Sequence, residues 1–287
     1  MKNFVIITDS SADLTSEICA EMDIRTIQLG VTIEGEETRA NNEIDVKEMY
    51  AKLRAKKSAT TSAVNIEQFL EIFGRIAKEG EDILYLGFSS GLSGTFSAGA
   101  VAMKELSEAY PNQTFLAVDT LCASMGQGLM VYLAAKKRAS GADIHAVKAY
   151  VEEILPNLAH WFTVDDLFFL KRGGRVSAAT AVVGSLLSIK PVMHVDDAGK
   201  LINVSKVRGR RAAVDALFDK MKTTMLEGKN ETAFISHGDC IEDAEYLADR
   251  IRKELNIQDI KINYVGPVIG AHSGPGTLAL FFLGKER

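Results

Sequence analysis

Three groups of residues in this 287-residue chain have types and spacings that could do chemistry. The first is Gly87-Phe-Ser-Ser-Gly-Leu-Ser-Gly-Thr95, where glycines and hydroxyls follow an apolar run and precede a helical pattern. Such a turn aims backbone N–H groups and hydroxyls at one point beside a helix N-terminus, which attracts anions. It has no lysine and no Walker spacing, so it suits a carboxylate or a single phosphate. The plainer alternative is an ordinary strand-to-helix turn. The second group centres on His272, inside the glycine-rich stretch 266–276. There an imidazole is poised to hydrogen-bond a ligand near neutral pH, or simply to pin the loop. The third group is arginine. Arg172 and Arg175 flank two glycines and can hold a carboxylate bidentately or stand as a solvated basic turn. Arg208, Arg210 and Arg211 open a predicted helix, where positive charge opposes the dipole. That mild conflict hints at an anionic partner; solvated charge is the alternative.

Other chemistries fit less well. Ser93 as a hydrolase nucleophile would need G-x-S-x-G, but Gly91-Leu-Ser-Gly-Thr95 puts Thr95 where the second glycine belongs. His145, His160, His194 and His237 share no metal-ligand spacing and read as structural. Asp9 and Asp119 are too weakly constrained to form a metal or acid/base pair. Cys19, Cys122 and Cys240 are scattered without a CxxC pair, which argues for a reducing compartment and against zinc. With 33 Lys and Arg against 38 Asp and Glu, the formal charge of −5 makes nucleic acid a poor partner. The N-terminal apolar run is too short for a signal peptide. No run approaches the roughly 18 apolar residues of a membrane span. The expectation is a cytoplasmic protein, with transient membrane contact left open.

The elements that must position these groups can be read in outline. Residues 4–8, 83–88 and 114–118 read as short apolar strands, each followed by a polar loop and a helical pattern ending near Met22, Tyr110 and Ala139. That alternation predicts a parallel α/β sheet with ligands at the carboxyl ends of its strands. Asp9-Ser10-Ser11, Ser89-Ser90 and Asp119-Thr120 all fall there. Residues 58–64 read as a loop carrying Thr60, Thr61 and Ser62, ahead of a helix capped by an Asn65–Gln68 box. In the second half, 145–155 reads as a helix and 161–164 as a strand. Residues 178–189 read as a helix apolar nearly all round, which protein or an apolar ligand must cover. A hairpin over 191–195 and 201–204, a helix ending near Met225, a strand over 232–236 and a helix over 243–255 follow. Strands over 261–265 and 277–283 flank the glycine-rich loop. A boundary near 156–160 divides the chain into an N-terminal domain, 1–158, with the anion-binding loops and a C-terminal domain, 159–287.

Several segments together carry a family likeness: Thr8-Asp-Ser-Ser-Ala-Asp-Leu14, Thr60-Thr-Ser62, Ser90-Gly-Leu-Ser-Gly-Thr95, Asp119-Thr-Leu-Cys-Ala-Ser-Met-Gly-Gln-Gly128, Leu170-Lys-Arg-Gly-Gly-Arg-Val-Ser177 and 266–276. Over essentially its whole length the chain resembles the DegV family, whose characterised members are fatty-acid-binding subunits of bacterial fatty acid kinase. The resemblance implies a two-domain α/β fold: an N-terminal Rossmann-like parallel sheet and a C-terminal α/β domain with a mixed sheet. An acyl chain would lie buried between them. It implies that Thr61, Ser93 and His272 bind the carboxylate and that Arg172 positions the histidine, with Ser62, Gly94, Asp9 and Ser10 in support. It implies no catalytic residue, no metal and no cofactor, only a bound long-chain fatty acid. The implied partner is the catalytic kinase subunit, which phosphorylates the bound acid to an acyl-phosphate for phospholipid synthesis. Arg208, Arg210 and Arg211 are the candidate contact with it. The chain departs from the family pattern after Ser62, where many relatives have a proline-rich turn and this one has Ala63-Val64-Asn65.

Magnitudes assign the roles. A long acyl chain gains roughly 0.8 kcal/mol per buried CH₂, about 10 kcal/mol or more at palmitate length. Charge-assisted hydrogen bonds add only about 1.5–3 kcal/mol each. Burial then dominates affinity and the polar cluster sets orientation. The competing class is an enzyme, a hydrolase or phosphotransferase using the Ser93 loop and His272; a lipid-sensing regulator would share the same site.

Overall fold

The computed structural model describes residues 4–177 and 188–287. Strands β1 (Phe4–Asp9) and β6 (Asp82–Gly87) are buried along their whole length, as strands covered on both faces must be. With β2 (Ile24–Ile27) and β7 (Phe115–Asp119) they form a parallel sheet in the order β2-β1-β6-β7. Helices α1 (Ser16–Glu21), α3 (Ile66–Lys78), α4 (Thr95–Ala109) and α5 (Met125–Ala139) belong to this half. The Asn65–Gln68 capping box closes in both directions, at 3.0 and 2.9 Å. It starts α3 so that Phe69 and Phe73 pack on Tyr85 of β6.

The reading of 58–64 as a loop is corrected. Ala59–Ser62 is a strand, β5, antiparallel to β3 (Gly30–Ile33), which also pairs with β4 (Arg39–Ala40). Its hydroxyls hide the strand because only one face of this small sheet is buried. Helix α2 (Val46–Arg54), capped by Asp45, packs behind it.

The second sheet is mixed and six-stranded, in the order β10-β9-β8-β13-β11-β12. It comprises β8 (Leu158–Thr163), β9 (Ile189–Val195), β10 (Leu201–Arg208), β11 (Thr232–His237), β12 (Asp259–Tyr264) and β13 (Leu278–Leu283). Only β11 and β12 pair in parallel. The expected hairpin is β9–β10, closed by a turn over 196–200. Helices α6 (Ile144–Ile154), α7 (Leu167–Arg172), α8 (Arg210–Thr224) and α9 (Ile241–Leu255) complete the layers. The glycine-rich stretch is also corrected: Pro267–Ser273 is a short helix, α10, with proline in its first turn, where a missing N–H does no harm. The apolar helix expected over 178–189 falls on 178–187, outside the described residues; Ile189 opens β9.

Helix α5 joins the two halves. It lies against β1 and β6 on one side and β8, β11 and β13 on the other. Its apolar residues Met125, Leu129, Met130 and Val131 share one core with both sheets.

Candidate functional site

Strand alternation decides which hydroxyl of Thr60-Thr61-Ser62 turns inward, since successive side chains face opposite sides. Thr61 is half-buried and lines a cavity, while Thr60 and Ser62 are exposed. Ser62 stands on the other face, over Gly30, where an added Cβ would come within 2.3 Å of its Oγ. Thr61 Oγ1 lies 2.8 Å from His272 Nε2. His272 occupies the last turn of α10, and α10 packs against β5 and α7. Its Nδ1 edge faces Gly173, where a Cβ would come within 2.3 Å of that nitrogen. Burial first, then the charges of Arg175 and Arg172, push the His272 pKa down to about 4. The imidazole is therefore neutral at pH 7.

Ser93 sits in the loop between β6 and α4. Its N–H and that of Leu92 donate to Ser89 O, each at 3.1 Å. Ser93 Oγ accepts from Thr95 N at 3.2 Å and lies 3.0 Å from Thr95 Oγ1. The hydroxyl thus satisfies the N–H of Thr95, the first residue of α4, while Gly94 at the N-cap offers no side chain to the N–H groups that follow. Gly94 lines the cavity and is not crowded: a Cβ there would meet nothing within 4 Å.

Thr61, Ser93, Gly94 and His272 therefore converge on one cavity of about 250 Å³. Its walls are mainly apolar and come from both halves, with Phe88 and Leu92 from the first and Phe162, Leu170, Val195, Leu201, Val268 and Phe281 from the second. His160, which reads as structural in the sequence, is a fully buried β8 residue in the same wall. Its Nδ1 lies 2.9 Å from Leu158 O, and burial holds its pKa well below the ordinary range.

The remaining expected residues lie elsewhere. Arg172 stacks over Phe169, 4.9 Å from the ring centroid, and does not line the cavity. Arg175 does: its Nε donates to Leu92 O at 3.2 Å, its Nη1 donates to Gly173 O, and it is the larger charge acting on His272. The Arg-Gly-Gly-Arg motif was the available signal: α7 ends at Arg172 with Gly173 as its C-cap, and Arg175 follows that turn. Asp9 and Ser10 bind protein groups outside the cavity. Asp9 accepts from Ser11 N, Phe88 N, Tyr85 Oη and Gln127 Nε2 at 3.0–3.2 Å, tying β1, β6 and α5 together. Burial raises its pKa. Ser10 Oγ accepts from Leu29 N at 3.0 Å.

Of the three arginines expected at the start of α8, Arg210 and Arg211 have partners within the chain, whereas Arg208 ends β10. Arg210 Nε donates to Asp243 Oδ2 at 2.8 Å, and its Nη1 lies 3.6 Å from Asp165 Oδ1. Arg211 stacks 3.5 Å over the Tyr246 ring, and Arg208 is exposed. The charge conflict at this helix start is therefore met locally. Among the described residues no three His, Cys, Asp or Glu side chains group as metal ligands, and no helix is long and apolar enough to cross a membrane.

A family model described as an uncharacterised protein of the DegV family matches residues 3–285. A DegV domain-containing protein of Clostridium perfringens is 46% identical over 289 residues, covering 100% of this chain and 99% of its own. Among solved structures, a DegV family protein from Thermus thermophilus, described by its fatty acid binding, superposes with a TM-score of 0.88 at 28% identity, covering 98% of this chain and 99% of its own. DegV from Bacillus subtilis, described as a fatty acid binding protein, gives 0.85 at 28% identity, covering 99% and 100%.

Proposed function

The chain belongs to the DegV family, and from that premise we propose that it binds a long-chain fatty acid in the cavity between its two sheets and presents the carboxylate to a partner kinase, which converts it to an acyl-phosphate. The observation that carries the reading is one apolar cavity of about 250 Å³ into which Thr61, Ser93 and His272 all project from different elements. The fatty-acid binding of similar DegV proteins supports the same ligand class. In the proposed complex the carboxylate accepts hydrogen bonds from Ser93 and the Thr61–His272 pair. Arg175, half-buried and without a carboxylate partner among the described residues, offsets its charge. The role that the family likeness assigns to Arg172, positioning the histidine, is a different one, and here the Arg172 charge acts on His272 after that of Arg175. Chain burial supplies most of the affinity, at about 0.8 kcal/mol per CH₂.

The hydrolase alternative has less support. A nucleophilic serine needs its base within hydrogen-bond reach, whereas Ser93 pairs with Thr95 and His272 pairs with Thr61. Mass spectrometry of an organic extract of the purified protein tests the binding reading. A stoichiometric long-chain fatty acid supports it; an empty protein that also fails to take up added fatty acid overturns it. Release of an acyl product from ester substrates by the protein alone would favour the enzyme.

A further inference from the structure

We infer that the turn between β9 and β10 is a clamp that sets the position of Ser93, so that head-group recognition on the first sheet is controlled from the second. The inference rests on the fatty-acid-binding reading and goes beyond it by assigning positioning residues outside the cavity.

The turn is stiff. Asp196 Oδ1 accepts from Ala198 N at 3.0 Å and Lys200 N at 2.9 Å, and Gly199 N donates to Asp196 O at 2.8 Å. Gly199 has φ +70°, a conformation that glycine adopts without a Cβ penalty. The turn presses on the Ser93 loop at two points. Ser89 Oγ donates to Gly199 O at 2.8 Å, and a Cβ on Gly199 would come within 2.2 Å of that same Oγ. A Cβ on Gly91 would come within 2.5 Å of Ala198 O and 3.0 Å of Gly199 O. Gly91 is therefore required by the close approach of the turn's backbone, and Gly199 by its positive φ and by the Ser89 hydroxyl packed against it.

The link from this contact to Ser93 is short. Ser89, gripped by the turn through its side chain, is the residue whose carbonyl receives the N–H groups of Leu92 and Ser93. Ser89 Oγ also accepts from Gly91 N at 3.2 Å. Moving Ser89 moves the acceptor that holds Ser93. Asp196 itself lines no part of the cavity, so its effect on a ligand must pass through the turn.

The test uses the full-length protein with palmitate and hexadecan-1-ol, two probes with the same chain length and different head groups. Wild type is expected to bind palmitate more tightly. Asp196→Ala removes the acceptor that stiffens the turn and is expected to weaken palmitate about tenfold while changing hexadecan-1-ol less than twofold. Asp196→Asn, which keeps an acceptor, is expected to behave as wild type. Amide hydrogen exchange over residues 89–95 of the ligand-free protein should quicken in Asp196→Ala and not in Asp196→Asn. An unchanged acid-to-alcohol ratio in Asp196→Ala overturns the clamp, as does parallel weakening of both probes. If wild type binds neither probe, the binding reading fails on its own, and the exchange experiment still decides: unchanged protection of 89–95 overturns the clamp.

Discussion

Thr61 and His272 lie 211 positions apart in the chain and 2.8 Å apart in space, so the pair exists only because β5 and α10 pack together. What the pair can do follows from its setting. Burial and two nearby guanidinium groups hold His272 neutral, with its pKa down to about 4 against an ordinary value of 6.5. Between those pH values the unfolded chain binds the proton and the folded one does not, so ligand-free stability rises with pH across that window. Replacing His272 with Gln should flatten that rise, measured as the difference in denaturant midpoint between variant and wild type from pH 4.5 to 7. A bound ionised carboxylate works in the opposite direction and raises the His272 pKa. Palmitate binding should then take up protons below neutrality and weaken as pH rises, a slope that His272→Gln removes; identical profiles for the two proteins would take His272 out of the site. The hydroxyls answer a different measurement. On the proposed reading, Ser93→Ala and Thr61→Ala would each delete one donor to the carboxylate, worth roughly 1.5 kcal/mol or about tenfold. The acyl chain's burial is several times larger. Both variants should still retain palmitate on purification but give less acyl-phosphate with the kinase. Full acyl-phosphate yield from both would show that the carboxylate sits elsewhere.

Elements were legible where burial wrote the pattern. β1, β6 and β13 are apolar runs buried at every position, and each is visible in the sequence to within a residue or so. The Asn65–Gln68 box marks the start of α3 because capping is a local interaction. β5 was hidden because three consecutive hydroxyl residues carry no period of two in polarity, although their side chains alternate in space. α10 was hidden for another reason: Gly266, Gly270 and Gly274 read as loop punctuation, yet Gly270 is required by packing. A Cβ there would come within 2.6 Å of Tyr50 Oη, which donates to Val265 O at 2.7 Å. Hence Ser93 and His272 could be singled out in sequence, but the strand that presents Thr61 and the helix that presents His272 could not. Contact between α7 and α10 yields a further expectation. Gly173 has ordinary right-handed helical φ and ψ, so alanine there brings no backbone strain. Its Cβ would nonetheless meet His272 Nδ1 at 2.3 Å. Gly173→Ala should therefore keep the thermal midpoint within a few degrees and weaken palmitate against hexadecan-1-ol by about tenfold. Equal loss for both probes would mean that the methyl distorts the cavity rather than the imidazole.

The molecule as a whole encloses its cavity between two sheets that share α5, so chain burial and head-group placement both depend on how the halves dock. Polar ties cross that junction beside the apolar core. Asn263 Nδ2 donates to Asp13 O at 2.8 Å, Val268 N donates to Asn41 Oδ1 at 3.0 Å, and Arg54 is paired with Asp239. On the proposed function, a partner kinase would have to reach the head group without dismantling these ties, which directs attention to surface charge. Their clustering at a predicted helix start suggested Arg208, Arg210 and Arg211 as one basic contact, and the family likeness suggested the kinase as its partner. Their surroundings now separate them. Arg210 is an internal staple: it joins the start of α8 to Asp243 on α9 and to Asp165 before α7, and it is 22% exposed. Arg210→Glu would set a third carboxylate beside those two, and the expected result is a loss of stability of about 1–2 kcal/mol, discounted for partial exposure. That variant therefore reports on folding, not on the partner. Arg208 is exposed, and the Arg211 guanidinium, stacked over Tyr246, keeps its charge at the surface. Rim charges of this kind change the rate of association and its salt dependence more than the stability of either protein. The double variant Arg208→Glu, Arg211→Glu should keep wild-type thermal stability and palmitate affinity. Its association with the kinase should slow severalfold, and the slope of that rate against ionic strength should flatten, because fewer opposite charges remain to steer the encounter. Surface plasmon resonance at two salt concentrations measures both quantities. Unchanged kinetics would move the contact to another face, and Lys200, which lines a neighbouring pocket, would be the next cation to reverse.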